Sequence, residues 1–161
     1  MVDQKTFWLK KALKIALKSG CLRGKRGLVI VKNGKEIMKT FNLVMPINDA
    51  CIKGGCLRDK LKLGLGKDPH VCRSIHAEAR ALSEAAKKGI SLEDGVAYIT
   101  CAPCMNCAKL LYIAGIREVY FVDAHADETG TVLLNKMGVK CVRVEIKNDN
   151  PELRLRDITG Q

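Results

Sequence analysis

At 161 residues, 47% of them hydrophobic, the chain is long enough to build one domain around its own core, and eight cysteines are too few for a disulfide scaffold. No run approaches the roughly 18 apolar residues of a membrane span, and Met1 to Lys18 scatters lysines through its apolar positions; a soluble, unsecreted, cytoplasmic protein with no membrane partner is expected. The formal charge of +11 suits a phosphorylated or polyanionic partner as well as a plain solvated basic surface, whereas three Phe, three Tyr and one Trp are few for a base-stacking platform.

From Asp3 to Ser19 the residues Phe7, Leu9, Ala12, Leu13, Ala16 and Leu17 recur at helical spacing, with lysines largely opposite and Gly20 as a stop. Leu28 to Lys32 and Glu36 to Phe41 read as two antiparallel strands about an Asn33-Gly34 turn. Asn42 to Cys72 has no steady period and reads as a long irregular excursion that needs something to hold it. Ser74 is a candidate cap for a helix running to Lys88 and closed by Gly89. Val96 to Thr100 is a strand, and Pro103 suits the first turn of a helix reaching Ala114. Glu118 to Asp123, Thr129 to Lys136 and Val139 to Ile146 then read as strand, helix, strand. This alternation implies parallel strands at the C-terminal end of an α/β sheet. The chain divides into a domain over 1–146 and a polar tail over 147–161.

Two motifs carry chemistry: His76-Ala77-Glu78 at one helix start and Pro103-Cys104-Met105-Asn106-Cys107 at another. Cys104 and Cys107, three apart, share one helix face, and the positive helix end favours the thiolates that a metal requires. With His76 they make three ligands and leave the fourth tetrahedral position to water, the mark of a catalytic zinc site. Glu78, two residues from His76, points away from the ligand direction and is better placed to carry protons than to bind metal. A thioredoxin-like Cys-x-x-Cys would leave His76 and Glu78 without a role, and a purely structural zinc needs no neighbouring carboxylate.

The pair of motifs resembles the H-x-E and P-C-x-x-C signature of zinc-dependent nucleobase deaminases. From about Leu17 to Val144 the chain resembles the cytidine and deoxycytidylate deaminase family: Cys21 to Val31 is similar to the segment entering its first strand, and Thr40-Phe41-Asn42 to its Gly-Tyr-Asn triplet. The resemblance implies a three-layer α/β/α cytidine deaminase-like fold, a five-stranded mixed sheet flanked by helices. It implies zinc on His76, Cys104 and Cys107, Glu78 as catalytic proton shuttle, Asn42 as sugar ligand and a homo-oligomer. Departures are Leu43 to Ile47, where relatives in the deoxycytidylate branch commonly have glycine and a Pro-x-Gly turn, and Arg26, where valine is usual. Related deoxycytidylate deaminases pin the excursion with a structural zinc, for which Cys21, Cys51, Cys56, His70 and Cys72 are the candidates. Cys101 and Cys141 fall in or beside strands and read as packing residues.

The expected activity is conversion of a cytosine nucleotide, dCMP to dUMP, with release of ammonia. A deaminase acting on tRNA or another nucleobase is the rival within the chemistry, and a zinc-stabilised nucleic-acid-binding module the rival outside it. Arg23, Lys25, Arg26 and Arg73 are equal candidates for the phosphate.

Overall fold

The computed structural model describes residues 3–46, 51, 53–64, 67–124 and 128–146; the expected tail, 147–161, lies outside them. In chain order the elements are α1 (Gln4–Ala16), β1 (Gly27–Lys32), β2 (Lys35–Phe41), β3 (Leu43–Val44), α2 (Leu57–Lys60), a 3-10 turn (Pro69–Val71), β4 (Ser74–Ile75), α3 (Ala77–Lys88), β5 (Val96–Cys101), α4 (Met105–Ile113), β6 (Glu118–Asp123), α5 (Thr129–Lys136) and β7 (Lys140–Arg143). Five strands form one sheet in the order β2-β1-β5-β6-β7. β1 runs antiparallel to both neighbours, while β5, β6 and β7 are parallel, so the sheet is mixed.

The strand period of two sorts the sheet's side chains into two cores. Leu28, Ile30, Ala97, Ile99 and Val119 pack with Ala77 and Ala81 of α3, Leu111 of α4 and Leu134 of α5. Val29, Val31, Tyr98 and Tyr120 face the other way onto Trp8, Leu9 and Ala12 of α1. The result is the expected three-layer α/β/α fold. β1, buried on both faces, is an almost unbroken apolar run for this reason. α1 lies so close to the start of β1 that a Cβ on Gly27 would stand 2.0 Å from the Ala12 carbonyl oxygen.

Asn33 and Gly34 make the predicted two-residue turn, with φ of 51° and 72°, between paired Lys32 and Lys35. The strand expected over Val139 to Ile146 is shorter, running from Lys140 to Arg143, where its pairing with Phe121 of β6 ends the ladder.

The larger correction concerns the excursion. Ser74 does not cap α3: it lies in β4, opposite Val44 of β3, and the N-cap is His76. This pairing ties the two ends of the excursion together, so that the chain enters α3 from a fixed strand and delivers His76 at its first turn. Pro103 likewise precedes the helix it was expected to begin, and Cys104 is the N-cap of α4.

Leu9, fully buried between α1 and the sheet, should be a principal anchor of that layer. Leu9→Ala is expected to cost about 2–5 kcal/mol in urea unfolding; a loss under about 1 kcal/mol would show that α1 does not close that face of the core.

Candidate metal centre and active-site cavity

β5 hands the chain to α4 through Ala102 and Pro103. The Ala102 N–H donates to the Asp123 carbonyl at 2.8 Å, which anchors this turn to the end of β6. Cys104 follows in an extended conformation at the N-cap, and Cys107 sits in the first turn of α4. From the other side, Thr40 of β2 donates its hydroxyl to the Ala77 carbonyl at 2.8 Å and steadies the start of α3. Two helix N-termini thus present the three predicted ligands to one another.

His76 Nδ1 lies 3.6 Å from Cys104 Sγ and 3.4 Å from Cys107 Sγ. The three ligand atoms fall within 4.8 Å of each other, and among the described residues no other group of three His, Cys, Asp or Glu side chains does so. Zinc bonds of about 2.3 Å to sulfur and about 2.0–2.1 Å to nitrogen, at tetrahedral angles, require sulfur and nitrogen to stand about 3.5 Å apart. The donor set and its spacing fit zinc. All eight cysteines are free thiols, so no disulfide competes for the pair.

Electrostatics agree. Hydrogen bonds from Cys107 and His76 hold the Cys104 thiol down at about 3, prevailing over its burial, while the same contact pushes Cys107 up. One thiolate is therefore shared by the pair even without a metal. His76 is raised chiefly by its bond to Cys104. Glu78, only 6% exposed, is pushed up by burial, with the His76 charge opposing.

These groups open onto a cavity of about 150 Å³ lined by His76, Cys104, Glu78, Asn42 and Arg26 among others. Asn42 is buried and largely committed to the backbone: its Oδ1 accepts from the Arg26 N–H at 2.8 Å, and its Nδ2 donates to the Gly24 carbonyl at 3.0 Å. It orders the segment entering β1 and still faces the cavity.

Cys21, Cys51, Cys56 and Cys72 line the same cavity, which their sequence positions did not reveal. Cys51 is raised by burial and by the thiols of Cys56, Cys21 and Cys72, with Arg73 working the other way, so these groups share one neighbourhood. His70 is exposed in the 3-10 turn and is not among the cavity-lining residues. Ile47 to Ala50, between β3 and these cysteines, lie outside the described residues.

Sequence reasoning missed Gly130. This residue of α5 packs on the Pro103–Cys104 backbone so closely that a Cβ would lie 2.1 Å from the Pro103 carbonyl oxygen. Nothing short of the tertiary contact signals it.

Residues 2–123 match the model of the cytidine and deoxycytidylate deaminase zinc-binding region. The chain belongs to this family. It is 28% identical over 152 residues to the Bacillus subtilis ComE operon protein 2, covering 94% of this chain and 76% of that protein. It is 30% identical over 137 residues to the human deoxycytidylate deaminase, covering 73% of this chain and 74% of that enzyme. Against the Schizosaccharomyces pombe deoxycytidylate deaminase the identity is 28% over 136 residues, covering 84% of this chain but only 42% of the relative. Among solved structures it is similar to the apo dCMP deaminase of cyanophage S-TIM5, with a TM-score of 0.66, 25% identity and coverage of 89% and 99% of the two chains. Among the described residues no helix is long and apolar enough to cross a membrane.

Gly130→Ala is expected to displace the Cys104 turn, costing about 1–3 kcal/mol of stability and weakening zinc binding in a chelator competition. Unchanged zinc affinity would mean that α5 does not position the ligand turn.

Proposed function

We propose that this chain is a zinc-dependent hydrolase that deaminates a cytosine nucleotide, converting dCMP to dUMP with release of ammonia. The observation that carries the reading is the convergence of His76, Cys104 and Cys107 beside a buried glutamate on a cavity wall. The substrate is drawn from the relatives named deoxycytidylate deaminase.

In this reading His76 Nδ1 and the two sulfurs hold the zinc. A zinc ion held there would make water acidic enough, with a pKa of about 7, to attack near neutral pH. Glu78 does the proton work. Its carboxylate takes a proton from the attacking water and passes it to the ring nitrogen as the new C–O bond forms, then takes the second proton from the resulting hydroxyl and gives it to the departing amine as the C–N bond breaks, leaving the carbonyl of the product. Burial keeps this carboxyl apart from bulk solvent, so the protons stay within the site. Asn42 holds the segment that enters β1 and offers its remaining polar capacity to the sugar. A structural zinc knot would gain nothing from burying Glu78, which disfavours a purely binding module.

The second zinc expected on Cys21, Cys51, Cys56, His70 and Cys72 is not met by the geometry, since no three of these side chains bring their ligand atoms within 4.8 Å of one another. The four thiols share the cavity wall without converging on one point, and His70 is exposed away from them. A homo-oligomeric assembly is part of the deaminase reading.

The charge of +11 favours a polynucleotide substrate as the second reading. Ammonia release from dCMP, with weak dependence on salt, is the expected outcome. Turnover of tRNA but not dCMP, falling steeply with added salt, would replace the first reading with the second.

Glu78→Gln is expected to keep its zinc, measured by atomic absorption, and to lose about 10²- to 10⁴-fold in kcat. Equal turnover in the two proteins would remove Glu78 from the chemistry.

A further inference from the structure

Four arginines line the cavity, and the structure separates their duties. Arg23 donates to the Leu63 carbonyl at 3.0 Å and pairs with Asp59 at 3.4 Å. Arg58 donates to the carbonyls of Gly64 and Lys67 at 2.7 and 2.5 Å. Both are spent on folding the excursion over the cavity. Lys25 donates to the Leu17 carbonyl at 3.4 Å and is not among the lining residues. Arg26 is engaged as well, although its buried Nη1 meets no acceptor among the described residues, and its charge acts on His76 and Cys101, which places it at the metal end.

Arg73 differs from all of these. Its guanidinium makes no hydrogen bond or ion pair with any other described residue, yet its side chain is only part-exposed on the cavity wall. A cation held partly out of water without an anionic partner is costly unless a ligand supplies one. The residue is nevertheless firmly placed, since its carbonyl accepts from the Met45 N–H at 2.8 Å and the next residue, Ser74, pairs with Val44. Three residues of largely extended chain, about 10 Å, separate it from His76. A nucleotide with its amine-bearing carbon at the metal carries its phosphate at the far end of the molecule, on the scale of that separation.

We propose that Arg73 is the specificity-determining residue that grips the 5′-phosphate of a nucleoside monophosphate, so that this enzyme selects nucleotides over nucleosides. The inference rests on the cytosine-nucleotide reading given above. The planar guanidinium meets a phosphate dianion with two parallel N–H···O bonds, an arrangement that an ammonium on a flexible stem reproduces only in part.

The test uses the zinc-loaded protein with Arg73→Ala and Arg73→Lys. It measures kcat and KM for dCMP and deoxycytidine, zinc content, and calorimetric binding of dUMP with inorganic phosphate as competitor. Arg73→Ala should raise KM for dCMP about 10- to 100-fold, the scale of one or two charge-assisted hydrogen bonds. Its kcat should hardly change, deoxycytidine turnover and zinc content should stay as in the parent, and Arg73→Lys should recover part of the loss. If Arg73→Ala retains the parent's preference for dCMP over deoxycytidine, the assignment is overturned while the deaminase reading stands. Equal losses on both substrates together with lost zinc would also overturn it, making Arg73 a support of the thiol wall. If the parent binds dUMP and phosphate but does not deaminate dCMP, and Arg73→Ala abolishes that binding, the phosphate grip stands and the dCMP reading falls.

Discussion

Three donor atoms brought within 4.8 Å of one another at two helix N-termini set the demand that the rest of the fold meets. The donors come from two strand-to-helix transitions, His76 from one and both cysteines from the other, so the sheet must fix both transitions in space. β5 and β6 do this for Cys104 and Cys107 through the Ala102–Asp123 hydrogen bond. The small β3–β4 pair and the Thr40 hydroxyl do it for His76. Close packing completes the arrangement: alanines at 77, 81 and 85 let α3 lie near the sheet, and the missing side chain at Gly130 lets α5 rest on the ligand turn.

Collecting these groups brings an electrostatic conflict that zinc resolves. Two thiols and an imidazole in contact cannot all reach their ligand forms without a cation, and the pair instead shares a proton, with Cys104 low and Cys107 high. A dication removes that constraint and allows both sulfurs to ionise. Glu78 stands inside the same field and is held by α3 rather than by a loop, which keeps its carboxyl at a fixed distance from the ligands.

Much of this was legible in the residues because the signals were local. The bounds of β6 and α5 agree with the apolar runs over 118–123 and 129–136, and the Asn33-Gly34 turn follows from two residues that tolerate positive φ. The metal ligands were legible because cysteines three apart on a helix can reach one ion wherever that helix lies. What failed to show was non-local. Ser74 has the chemistry of a helix cap, yet a pairing with Val44, thirty positions away, holds it in a strand. Asn42 is the residue proposed to meet the sugar, and only the fold reveals how much of its amide is given to the backbone of 24–26. That Cys21, Cys51, Cys56 and Cys72 share the cavity of the metal centre is likewise a fact of tertiary structure.

The central claim is that His76, Cys104 and Cys107 form an open zinc site. Anomalous scattering at the zinc edge from crystals of the zinc-loaded protein tests it most directly. The account predicts a peak within bonding distance of His76 Nδ1 and both sulfurs, about 2.0–2.3 Å, with solvent as the fourth ligand. Zinc absent from that position, or closed there by a fourth protein side chain, would contradict it.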